Sequence, residues 1–80
     1  MLQVQFYTKN NCSLCDDAYA LLMMLKRYYD FELVELDIYT NDEWLEEYQL
    51  LIPAVRMNDT FLTCEEMDLE TLEHAIKNNV

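Results

Sequence analysis

Leu2, Val4 and Phe6 alternate with Gln3 and Gln5, a period of two that predicts a half-buried strand ending near Tyr7. From Cys12 to Tyr29 the pattern changes. No Pro or Gly interrupts, and Ala18, Leu21, Leu22, Leu25 and Tyr29 recur at helical spacing, with Asn11 as a suitable N-cap. Asp30 marks a break, after which "FELVELDI" is rich in strand formers and reads as a second strand. Thr40 and Glu43 have the spacing of a capping box, which starts a short helix through Trp44, Leu45 and Tyr48. "IPAVRM" and "TFLT" flank "ND", a hairpin with a predicted type I′ turn. Asp68 caps a last helix whose Leu69, Leu72, Ala75 and Ile76 share one face.

The element order is therefore β-α-β-α-β-β-α. Two strands joined through a helix are expected to run parallel with a right-handed crossover. The hairpin then completes a four-stranded mixed sheet flanked by three helices. The expected architecture is α/β, a single domain over residues 1–80, with no repeat and no linker-like stretch.

Composition changes this picture in three places. Apolar residues make up 52% of the chain, enough for a core, although a chain of this length leaves little stability to spare. Sixteen acidic residues against five Lys and Arg give a net charge of −11, which argues against nucleic acid and against an anionic membrane surface. Glycine is absent, so left-handed backbone positions must fall to Asn and Asp, as in "KNNC", "YYDF" and "RMNDT". "MLQVQF" lacks the basic start and apolar run of a signal peptide, and "AYALLMML" is too short to cross a bilayer. The expectation is a cytoplasmic protein, acting as a monomer and away from membranes.

The candidate chemistry lies in "KNNCSLCDDA". In a reducing compartment a Cys-x-x-Cys points to catalysis or metal binding rather than to a structural staple. On a helix Cys12 and Cys15 lie about 60° apart on neighbouring turns. Cys15 falls at the margin of the apolar stripe, and Cys12 on the charged side with Asp16 and Arg27. An accessible sulfur beside a sheltered one suits dithiol exchange. The helix N-terminus favours a thiolate at Cys12 and Lys9 adds to this, while Asp16 opposes it, so Cys12 is expected to be only modestly more acidic than a free thiol. Other readings stay open. A zinc or iron–sulfur site would draw on Cys64 and His74, of which His74 falls on a solvent face and Cys64 reads as a packed strand-end residue. Alternatively, the two cysteines are core filler, or they keep only a residual role in a binding module whose patch draws on Tyr7, Leu14, Tyr39 and Ile52.

A strand, then Cys-x-x-Cys opening a helix, then Ile52-Pro53 downstream, resembles the glutaredoxin branch of the thioredoxin-like fold over essentially the whole chain. "FYTKNNCSLCDDA" is similar to short glutaredoxin-like proteins with a Cys-x-Leu-Cys-Asp/Glu-x-Ala stretch, and "YQLLIPAV" to their Tyr-x-x-x-Ile-Pro-Val segment. The resemblance implies Cys12 as nucleophile, Cys15 as resolving thiol and Pro53 as a cis-proline beside them. It further implies that the backbone of Ile52 pairs with an extended substrate, that Lys9 meets a glutathione carboxylate, and that Asp68 accepts from the γ-glutamyl amine. Asp16 would be a possible proton acceptor near the pair. Ser13 and Leu14 stand where glutaredoxins carry Pro-Tyr, and Cys64-Glu65 where they carry a Gly-Gly pair. Glu65 and Glu66 would repel the carboxylates of glutathione. The implied activity is thiol–disulfide exchange on a disulfide-bearing protein or a glutathione mixed disulfide. No metal and no bound cofactor are implied, and glutathione enters as a possible co-substrate.

Overall fold

In a computed structural model describing residues 1–80, strand β1 (Leu2–Thr8) follows its alternation up to Phe6 and then departs from it. Phe6 and Tyr7 are both buried and belong to two separate apolar clusters, one on each face of the sheet. A strand covered on both faces belongs inside a sheet. The strand order is β2-β1-β3-β4, with β2 (Phe31–Asp37) parallel to β1, and β3 (Ala54–Met57) and β4 (Thr60–Leu62) each antiparallel to its neighbour. Phe6 stands opposite Val55, and Val55 opposite Leu62. Helices α1 (Ser13–Leu25), α2 (Asp42–Tyr48) and α3 (Leu69–Asn79) complete the expected α/β order around a four-stranded mixed sheet.

The larger cluster forms where α1 and α3 bury their stripes. Cys15, Ala18, Leu22 and Leu25 come from α1 and Leu72, Ala75 and Ile76 from α3, against Val4, Phe6, Val55 and Met57 of the sheet. The spacing of three, four and three along α1 keeps all four side chains on one face of a 3.6-residue helix. The smaller cluster joins Tyr7, Ile38, Tyr48 and Ala54, and the Tyr7 and Tyr48 rings lie 4.3 Å apart. Burial, more than proximity to Tyr48, lifts the Tyr7 hydroxyl above its ordinary pKa, and Arg56 partly opposes the lift. Arg56 itself stacks over Phe61 at 4.7 Å.

Several boundaries differ from those the sequence suggests. The N-cap of α1 is Cys12, not Asn11: Asn11 takes a left-handed φ of 56° and turns the chain, leaving Cys12 extended at φ −124°. Helix α1 ends at Leu25 rather than Tyr29. Its end tightens into i→i−3 bonds, Arg27 to Met24 and Tyr28 to Leu25. The capping box at Thr40 and Glu43 is absent as a box. Asp37 caps a 3₁₀ turn over Ile38–Thr40 and the Thr40 hydroxyl donates to Asp37, so Asn41 caps α2 by accepting from Glu43 and Trp44. Strand β2 stops at Asp37 for the same reason, before Ile38. In the hairpin only Asn58 has positive φ, whereas a type I′ turn needs two such residues, and the second place is held by Asp59 rather than glycine. Leu69 opens α3 but is 40% exposed, past the edge of the core.

Burial separates two leucines two turns apart on α1. Leu22→Ala is expected to cost about 2–5 kcal/mol, and Leu14→Ala no more than about 0.5 kcal/mol, both read from urea unfolding. A second expectation concerns acid. Hydrogen bonds from the Thr71 backbone and hydroxyl hold the Asp68 carboxyl below its ordinary value of 3.8. Its stabilising contribution is complete above that value and is lost as pH falls through the lower folded-state value. Asp68→Asn keeps an N-cap acceptor but cannot titrate, so the Tm difference between wild type and variant is expected to shrink on acidification from about pH 6 to about pH 2.5.

Candidate active site

The junction from β1 to α1 builds the site. Asn11 in the left-handed region redirects the chain out of the sheet, and Cys12 then serves as the helix N-cap. An N-cap side chain faces the free N–H groups of the first turn, and here the Cys15 N–H donates to Cys12 Sγ at 3.1 Å. The two cysteines are joined by a disulfide, with a Cα–Cα distance of 5.2 Å. They are not equivalent. Cys15 is 1% exposed within the main core, while Cys12 is half-buried at its rim. A thiolate at Cys12 in the reduced pair would be favoured by the Cys15 N–H and by the positive end of the helix dipole.

The pairing of the strands brings the segments before β3 and before α3 to the same end of the sheet as the pair. Ile52 and Met67 pack half-buried against the same cluster as Cys12. Pro53 is fully buried, and its bond to Ile52 is cis. The Cys64 N–H donates to the Leu51 carbonyl at 2.9 Å, tying the segment before Pro53 to the turn before α3. Cys64 itself is not a strand-end residue: it opens a 3₁₀ turn over Cys64–Glu66 and is half-buried. Lys9 shares a cleft of about 310 Å³ with Thr8, Asn11, Cys15, Asp16 and Glu35, so a cation and two carboxylates line a cleft that reaches Cys15.

The remaining sequence candidates fall into two groups. Ser13 and Leu14 stand exposed on the first turn of α1, Leu14 at 64%. Asp68 is exposed one residue beyond Met67, with its carboxylate turned into its own helix to accept from the Thr71 N–H at 2.8 Å. Tyr7 leaves the suggested binding patch, because it is buried beneath α2, whereas Tyr39 is 63% exposed. His74 is exposed on α3, with a ring nitrogen 3.0 Å from the Asn78 amide. No group of three His, Cys, Asp or Glu side chains is arranged to hold a metal ion.

Sequence reasoning missed three contributors. Cys12 as its own N-cap is hidden by the two asparagines before it, either of which has the better capping side chain. Glu35 reaches the cleft only through the parallel pairing that sets it beside Phe6. The Thr63–Glu66 capping box that shapes the turn before α3 was legible, since "TCEE" has the Thr-x-x-Glu pattern.

The model of the glutaredoxin-like domain (DUF836) matches residues 3–77, which take in the sheet except for the first residue of β1, and most of α3. A solved structure described as that of a malarial protein superimposes with a TM-score of 0.66 at 16% sequence identity, covering 100% of this chain and 98% of that one. At that identity the likeness speaks to the fold, which is thioredoxin-like. With the family match spanning the sheet and the cysteine pair, the chain belongs to the glutaredoxin-like domain (DUF836) family.

Proposed function

We propose that the protein is a thiol–disulfide oxidoreductase that uses Cys12 and Cys15 to reduce a disulfide in a partner protein or a glutathione mixed disulfide. The observation that carries this reading is the asymmetry of the pair: one sulfur at the rim on a helix N-terminus, the other sealed in the core. In the reduced protein the Cys12 thiolate attacks one sulfur of the substrate disulfide. That S–S bond breaks, a Cys12–substrate disulfide forms, and the released thiolate takes a proton from water. Cys15 then loses its proton to water or to a carboxylate of the adjoining cleft, Asp16 or Glu35. Its thiolate attacks Cys12 Sγ and expels the second substrate thiolate, leaving the intramolecular disulfide. Two electrons pass from the dithiol to the substrate, and a dithiol or two monothiols restore the reduced pair.

The surrounding residues take supporting roles in this proposal. Ser13 and Leu14 line the approach to Cys12, and Ile52 with Pro53 offers backbone to an extended substrate. Lys9 and Asp68 are the groups that would meet a carboxylate and an amine of glutathione, a co-substrate rather than a resident cofactor. A cytoplasmic setting and a monomeric enzyme complete the reading. No helix is long and apolar enough to cross a membrane. A second reading, a binding module without turnover, draws on the exposure of Leu14 and Tyr39.

Cys15→Ser in a Cys64→Ser background separates the two. Incubated with 2-hydroxyethyl disulfide, the variant is expected to accumulate a mixed disulfide on Cys12, visible as a mass increase. The protein with both site cysteines resolves it to the internal disulfide, and Cys12→Ser gains none. If no adduct forms on Cys12, the exchange reading is wrong and the binding module takes its place.

A further inference from the structure

The cations of this chain, but not its carboxylates, are sorted between the two ends of the sheet: Asp30, Glu32 and Asp59 stand with most of the cations, away from the cysteine pair. The parallel β1–β2 and antiparallel β1–β3 and β3–β4 pairings place the ends of β1, β2 and β4 at the same end as the start of β3. The cysteine pair opens α1 at that end, and α3 also starts there. Carboxylates gather with it: Asp16 and Asp17 on the first turns of α1, Asp37 at the end of β2, and Glu65, Asp68 and Glu70 about the start of α3. Of the five Lys and Arg residues only Lys9 lies there. Lys26 and Arg27 follow the far end of α1, a helix of 13 residues and so about 20 Å long. Lys77 sits in the last turn of α3, and Arg56 is turned over Phe61.

Two of these carboxylates bond neutral donors rather than cations: Asp37 accepts from the Tyr39 N–H, and Asp68 from the Thr71 N–H and hydroxyl. The net charge of −11 means that at least eleven acids would lack a cation even if every Lys and Arg were paired. The positive ends of α1 and α3 offset this only within their first turns. Beside the pair stands an exposed apolar side chain, Leu14.

We propose that this end of the molecule selects its substrate by charge: the disulfide that Cys12 attacks is one flanked by Lys or Arg in a partner protein. The inference rests on the exchange reading above and narrows it, because the same field disfavours oxidised glutathione, whose carboxylates outnumber its amines. A basic segment is drawn in by the acidic rim, and an apolar residue of that segment covers Leu14 as Cys12 meets the sulfur. The electrostatic part acts on encounter and is screened by salt.

The test uses three disulfide-linked peptides alike except that Cys is flanked by Lys, Ser or Glu. Each is mixed with the reduced full-length protein and each rate is divided by its rate with 2-mercaptoethanol, which removes intrinsic differences in disulfide reactivity. The Lys peptide is expected to react about ten to a hundred times faster than the Glu peptide at low ionic strength, with the ratio falling towards one near about 1 M salt. In Asp17→Lys/Glu65→Lys/Glu70→Lys the preference disappears or inverts, and the Ser peptide corrects for any change in the thiolate itself. Equal normalised rates for the three peptides overturn the charge selection while leaving exchange intact. Failure of all three to react overturns the exchange reading as well.

Discussion

The seat of Cys15 in the main core is the constraint on which the rest of the site depends. Cys15, Ala18, Leu22 and Leu25 are the only residues of α1 that are fully buried, and they lie along a single face. Turning the helix by one residue would drive Asp16 towards the core, where an unpaired carboxylate is costly. The rotational setting of α1 is therefore fixed by what it must keep out as much as by what it packs. Once that setting is fixed, Cys12 falls at the rim, with the Cys15 N–H facing its sulfur.

The same geometry sets two electrostatic effects against each other. The N-terminus of α1 stabilises a thiolate at Cys12, whereas the surrounding carboxylates oppose it. On the proposed exchange chemistry, the acidic surroundings that oppose the thiolate would also bias which substrates approach, so that catalysis and partner choice would draw on one charge distribution.

Much of this architecture was legible in the chain. The period-two run of β1, the helical stripe of α1 and the Asp68 cap have strong local signals, and each is present. Where local signals competed, the reading slipped. Asn11 offered the better capping side chain, but the absence of glycine left it to supply the left-handed turn, and capping passed to Cys12. Thr40 had the capping pattern, yet Asp37 claimed it for the preceding turn. Glu35 had no local signal, because it joins the site through strand pairing across the sheet. The burial of Tyr7 beneath α2 was hidden for the same reason.

The central claim is that Cys12 and Cys15 form a working, reversible redox pair. It is tested most directly by the midpoint of that pair, measured by thiol trapping and mass spectrometry across a glutathione or dithiothreitol redox series. A single two-electron transition between about −180 and −280 mV, with Cys64 remaining a free thiol, is the predicted result. Two thiols that stay unpaired across the whole series would contradict the account and leave the cysteines as part of a binding scaffold.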